Sequence, residues 1–235
     1  MKIANPRVTS LRALDRNGVY KFLELCGRTC YKSEPSDKIT SEDFIRRLIT
    51  SGHESVLEHF SVSLKITCDR GVSHELVRHR LASYSQESTR YCNYKGKDIE
   101  FIKPVSLKED TVPYILWKQH CERSERTYLN LINSHVTPEI ARSVLPNSLK
   151  TEIVMTANLR EWRHFLKLRY SGTTGKPHPD MKVIAEMILE YFKSTLPVIV
   201  EDITDNGSNA KTAENNYFDT SDEALLKLLK IFYGV

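Results

Sequence analysis

The clearest hydrophobic pattern in the chain is an alternation. In FSVSLKITCD, residues 60–69, Val62, Leu64, Ile66 and Cys68 share one face, with Ser63, Lys65 and Thr67 between them. A period of two is that of a half-buried strand. TEIVMTA, 151–157, predicts a second strand. IEFI, 99–102, predicts a short third inside an irregular connector over 93–113. Elsewhere the apolar residues recur at helical spacing. NGVYKFLELCGRTCYKS predicts a helix with Val19, Phe22, Leu23 and Cys26 on its core face. SEDFIRRLITSG predicts another, with Ser41 as N-cap, acids in the first turn and Gly52 to close it. Ser73 is placed to cap a helix through 74–82, and a long helix follows over 114–134. TPEIARSVLP has Thr137 at N-cap, Pro138 at the first helical position and Pro146 to end it. Asn158 caps LREWRHFLKLR, 159–169, with Glu161 as its capping-box partner. HPDMKVIAEMILEYFKSTLP is amphipathic; a polar stretch over 201–220 then leads to an amphipathic tail helix.

Helices outnumber strands, and no strand–helix alternation recurs often enough for a doubly wound sheet. The pattern predicts an α+β fold: a helix-rich single domain over 1–200 with a small, mostly antiparallel sheet. Residues 201–235 read as accessory.

Composition narrows the function. The 235 residues carry 34 basic and 30 acidic side chains, a net charge of +4. That is far from the excess of a chain built to coat nucleic acid, so no nucleic-acid partner is expected. No apolar run has membrane-span length, and MKIANPRVTS lacks the apolar core of a signal peptide. The five cysteines are odd in number and form no C-x-x-C, which argues against a disulfide framework or structural zinc and fits a reducing, cytoplasmic location. No G-x-G-x-x-G and no P-loop is present.

The informative stretch is RHRLASYSQESTRY, 78–91, with three arginines, a histidine, four Ser/Thr hydroxyls and one acid. Such a density of donors suits oxyanions and planar heterocycles. At about 100° per residue, a helix over 74–82 clusters Leu76, Val77 and Leu81 on the core face and puts Arg80 in the same arc. A buried Arg80 requires an acidic partner, with Glu58 the candidate, or an anionic ligand. Glu75, Arg78 and His79 fall opposite, on a solvated or ligand-facing side. On 159–169, Leu159, Trp162, Phe165 and Leu166 form the apolar face, with Arg169 in its midst; Arg160 and His164 pair at i, i+4 on the other side. His53, Glu54, Glu58 and His59 lack the H-E-x-x-H spacing, so no metal is expected. Cys92 lies beside Arg90, but without a base and orienter it reads as structural.

These residues resemble the signature of the flavin-dependent thymidylate synthases, R-H-R-x(7)-S-x-R, met by Arg78, His79, Arg80, Ser88 and Arg90. CGRTCYKS, GHESVLEHF, EIARSVLP and NLREWRHFLKLR are similar to further family stretches, in the family's order, across roughly 10–200. The resemblance implies the family's fold and its reaction: methylation of dUMP to dTMP, with 5,10-methylenetetrahydrofolate as carbon donor and FAD, re-reduced by NADPH, as hydride source. It implies that Ser55, Arg78, His79, Arg80, Gln86, Asn158, Leu159, Arg160 and His164 meet FAD. It implies a dUMP site of Glu75, Leu76, Val77, Arg78, Gln86, Glu87, Ser88, Thr89, Arg90, Arg142 and Arg169, partly reached from a neighbouring subunit. Ser88, Arg90 and Arg142 would take the phosphate, and Arg169 would act catalytically beside the pyrimidine. Family members are homotetramers with sites at subunit junctions. Three positions depart from common family residues: Glu75 in place of Gln, Gln86 in place of an acid, and His164 in place of Asn. The alternatives kept open are a flavin- and dUMP-binding homologue without turnover, and a nucleic-acid-binding module.

Overall fold

The computed structural model describes residues 1–206 except Tyr31, Ser36 and Asp37. Most of the polar stretch after 200, and the expected tail helix, lie outside the described residues.

The centre is a pair of long antiparallel strands, β3 (Ser61–Asp69) and β6 (Lys150–Asn158). Their registers bring Val62 to Ala157, Leu64 to Met155 and Ile66 to Ile153, so both alternating apolar faces point the same way. Two short strands flank them, β2 (Arg7–Ser10) on β3 and β4 (Ala82–Gln86) on β6, to complete an antiparallel four-stranded sheet. A separate parallel pair joins β1 (Lys2–Ala4) to β5 (Glu100–Ile102). The α+β expectation holds.

Helices cover the buried face. They are α1 (Arg16–Thr29), α2 (Ser41–Thr50), α3 (Arg70–Leu76), α4 (Val112–Asn133), α5 (Pro138–Ala141), α6 (Leu159–Arg169) and α7 (Pro179–Thr195). Trp162, Phe165 and Leu166 of α6 pack with Ile184, Ile188 and Phe192 of α7 in the main core. The Trp162 indole also donates to the Val62 carbonyl at 3.1 Å, which ties α6 to the sheet. Burial of each such side chain is worth about 1.5–3 kcal/mol. A second cluster, with Phe101, Cys121 and Tyr128, holds α4 against β5.

Several boundaries differ from the pattern reading. Thr40, rather than Ser41, caps α2, accepting from the Asp43 amide. Gly52 closes it as expected, at φ +76°, with the His53 amide returning to the Leu48 carbonyl. In α1, Phe22 is 43% exposed, and the buried stripe runs instead through Val19, Tyr20, Leu23 and Gly27.

The largest correction is at α3. Asp69 is its cap, accepting from the Val72 amide, and the helix stops at Leu76, with Val77 as C-cap. Residues 78–81 therefore lie outside the helix, and the wheel phase does not reach them. Arg80 is exposed, not buried, and Leu81 is 76% exposed. His79, expected on the solvated side, is buried at 5% exposure. Glu58 pairs with Arg160 rather than with Arg80.

Candidate active site

The strand β4 splits the donor-rich stretch in two. Ala82 pairs with Ala157 at one end and Gln86 with Ile153 at the other. At about 3.3 Å per residue, those ends stand about 13 Å apart. The RHR triplet precedes the strand, and the S-T-R group follows it.

At the first end, the sheet hands over to α6. Asn158 ends β6 and caps α6, its side chain accepting from the Glu161 amide at 2.8 Å. Beside it opens a cavity of about 790 Å³, within the usual range for a ligand pocket. Asn158, Arg160, Glu161, His164 and Lys167 line it from β6 and α6, Leu81 from the segment after α3, and Glu54 and Glu58 from the short 3₁₀ helix Glu54–His59. The wall thus combines the positive end of a helix, three basic side chains, an exposed apolar residue and three carboxylates, of which Glu58 pairs with Arg160 and Glu54 with Lys167. The helix end and the basic side chains suit a phosphate-bearing ligand. Arg78 and Arg80 are exposed nearby in sequence and make no ion pair among the described residues.

His79 sits behind this cavity. Its ring packs edge-on against Phe165 at 5.0 Å between centroids and lies 6.1 Å from the His164 ring. Tyr84 donates to its carbonyl at 2.7 Å. Burial, reinforced by the charges of Arg169 and His164, pulls the His79 pKa down to about 4, so the imidazole is neutral near pH 7. Its Nδ1 lies 3.4 Å from a Glu161 carboxylate oxygen. With His79 neutral, this contact is no ion pair.

Arg169 ends α6 and turns back onto this group. Its Nε donates to His79 Nε2 at 3.1 Å, and its Nη1 donates to Glu75 Oε2 at 3.0 Å. Among the described residues its Nη2 has no hydrogen bond.

At the other end of β4, Gln86 donates to the Ser73 and Thr151 hydroxyls at 2.9 and 3.2 Å. Thr89 is buried and accepts from Arg142 at 3.3 Å. Arg90 donates to Glu139 at 2.9 Å, and its amide is held by Ser88. Glu87 accepts from the Tyr94 hydroxyl at 3.1 Å. So Ser88, Thr89, Arg90 and Arg142 gather at one place although 142 is remote in sequence.

Three comparisons bear on this arrangement. Residues 14–198 match the family described as thymidylate synthase complementing protein. The flavin-dependent thymidylate synthase of Mycolicibacterium gilvum is 34% identical over 210 residues, 81% of each chain. That of Geobacter sulfurreducens is 34% identical over 186 residues, covering 76% of this chain and 79% of its own. That of Pyrococcus furiosus is 39% identical over 145 residues, 59% of each. The chain belongs to the flavin-dependent thymidylate synthase family. A UMP/dUMP methylase, PolB from Streptomyces cacaoi, solved with 5-Br dUMP, shares the fold at a TM-score of 0.72 and 23% identity, over 86% of this chain and 96% of that one.

As a member of this family the chain is a methyltransferase that uses a flavin, and the α6 cavity has donors suited to one. Asn158, Arg160 and His164 line it directly. Ser55 is exposed on the 3₁₀ helix between the two lining glutamates. Leu159 is fully buried, with its amide bonded to the Phe60 carbonyl, and does not line the cavity. Gln86 lies at the far end of β4, with the S-T-R group rather than with the RHR triplet. Leu76 is buried and Val77 38% exposed, at the end of α3.

The pattern reading missed Arg163 and the side-chain role of Glu161. Arg163 is only 1% exposed; it donates to Asp202 twice at 2.7 Å, to Glu54 at 2.9 Å and to the Ile199 carbonyl. Burial favours the neutral form of Glu54, but Arg163 and Lys167 outweigh it and hold the carboxyl below its usual value. The hydrogen bond from Arg163 likewise lowers Asp202. The available signal was position: Arg163 lies about 40° from Leu159 on the wheel, at the edge of the apolar face. Burial pushes the thiols of Cys68 and Cys121 up to about 12, which keeps both unreactive. Among the described residues no helix is long and apolar enough to cross a membrane.

Proposed function

We propose that the chain methylates dUMP at C5 to give dTMP, with 5,10-methylenetetrahydrofolate as carbon donor and NADPH as the final reductant. The observation that carries this reading is the placement of Arg169. Its guanidinium is held at Nε and Nη1, and among the described residues its Nη2 has no hydrogen bond. A fixed cation of that kind stabilises negative charge developing on a pyrimidine ring without reorganising first.

FAD, when bound, supplies the hydride. Arg160 and His164 hold it, with the start of α6 at its phosphates and Arg78 and Arg80 as further cations. Ser88, Arg90 and Arg142 take the dUMP phosphate. Glu75 is engaged by Arg169 and orients it, and Gln86 ties the end of β4 to Ser73 of α3 and Thr151 of β6. The two donor groups stand at opposite ends of β4, which suits a homotetramer in which one subunit's S-T-R group binds the dUMP that meets a neighbour's flavin. A cytoplasmic location fits this use of soluble substrates.

The test is a single turnover of purified protein with dUMP, methylenetetrahydrofolate and NADPH. Formation of dTMP supports the reading. A protein that binds flavin and dUMP but forms no dTMP is a binding homologue, and the reading fails.

A further inference from the structure

Glu161 is a buried acid, 6% exposed, that the scheme above does not use. Burial raises its pKa. An acid in the first turn of a helix is ordinary, and the capping box explains its sequence position. The box, however, is half made. Asn158 accepts from the Glu161 amide, while the Glu161 carboxylate faces the ring of His79.

That ring is constrained on every side. Phe165 fixes its plane and Tyr84 holds its backbone. Arg169 is always a donor, so the nitrogen it meets, Nε2, must carry a bare lone pair. A neutral imidazole has one N–H, and here it must be Nδ1, the nitrogen 3.4 Å from Glu161. His79, Glu161 and His164 place possible ligand atoms within 4.8 Å of one another. That trio resembles a metal-ligand set, but the Arg169 guanidinium, 3.1 Å from His79 Nε2, disfavours a second cation beside it.

We propose that Glu161 is a positioning residue: with a carboxylate oxygen 3.4 Å from His79 Nδ1 it favours the proton on that nitrogen, so that Nε2 accepts from Arg169 and the guanidinium that faces the substrate is held. The inference rests on the role given to Arg169 above. The order is Glu161 to His79 to Arg169, with Glu75 closing the far side. Without an acceptor at 161 the ring is free to carry its proton on Nε2. That proton would oppose Arg169 Nε and release its hold. Either ionisation state of Glu161 leaves an acceptor oxygen, and so does a glutamine amide.

The test has one spectroscopic and one kinetic arm, both on the full chain with flavin. In ¹⁵N-histidine-labelled protein, with the His79 signals assigned by their loss in His79→Asn, wild type should show a protonated Nδ1 and a bare Nε2. Glu161→Leu should shift His79 toward the other tautomer and lower kcat about 10-fold or more, with flavin content and dUMP KM within about 3-fold of wild type. Glu161→Gln should keep both tautomer and kcat. A protonated Nε2 in wild type overturns the proposal whether or not Glu161→Leu folds. So does a Glu161→Leu enzyme with unchanged tautomer, whatever its rate. If wild type makes no dTMP, the functional reading fails while the tautomer result still decides the assignment of Glu161.

Discussion

Arg169, the last residue of α6, donates from Nε to Nε2 of His79, ninety positions earlier, at 3.1 Å. The bond joins α6, which lines the cavity, to the RHR triplet, and Glu75 holds the same guanidinium from α3. Replacement of Arg169 by Ala should therefore lower kcat by about 10²–10³-fold and leave bound flavin unchanged in the absorbance spectrum. Lys should not rescue it, because an ammonium does not span His79 and Glu75 together as the planar fork does. Full methylation by Arg169→Ala would remove Arg169 from the mechanism.

The cavity residues predict the opposite division. Arg160→Ala or His164→Ala should weaken flavin binding by about 10-fold each, the loss of one charge-assisted hydrogen bond. Flavin titration followed by fluorescence quenching measures this directly. Unchanged affinity in both variants would move the flavin elsewhere.

Arg142→Ala should raise the KM for dUMP by about 10–100-fold with kcat little changed, since a phosphate contact is made equally in ground and transition states. Steady-state kinetics with dUMP varied would show it. A fall in kcat at constant KM would contradict the phosphate assignment.

Arg163 predicts a stability effect. Arg163→Met removes the buried cation shared by Glu54 and Asp202, at a cost below the ~3–5 kcal/mol of a fully buried pair, because Asp202 is half exposed and Glu54 keeps Lys167. The wild-type network also has a pH signature. Both carboxyls titrate lower folded than unfolded. Their contribution is therefore fully present above about pH 4.5 and is lost as pH falls through the folded values. Thermal unfolding from pH 7 to 3 should show the midpoint falling below about pH 4.5 in wild type, and less so in the variant.

What the sequence revealed, and what it hid, has physical causes. The strands β3 and β6 were legible because one face is buried along nine residues, which imposes strict alternation. The strands β1, β2 and β4 were not, because they are short, mostly exposed and defined by their pairing partners rather than by their own side chains. The helix α3 was misplaced because both Asp69 and Ser73 are good caps, and Val77 and Leu81 imitate a core stripe while lying at the surface. Arg169 was legible as a cation on an apolar face, and Arg160 and His164 as an i, i+4 pair on the opposite side of the same helix. Arg163 and Glu161 were not, because their partners, Asp202, Glu54 and His79, come from distant segments.

The most direct measurement is the visible spectrum of the purified protein, recorded anaerobically as NADPH and then dUMP with methylenetetrahydrofolate are added. The account predicts a yellow protein, bleached by NADPH and recoloured when dUMP and the folate arrive together, with dTMP formed in equal amount. A colourless protein that takes up no FAD, or a reduced flavin that does not reoxidise with dUMP and folate present, would contradict it.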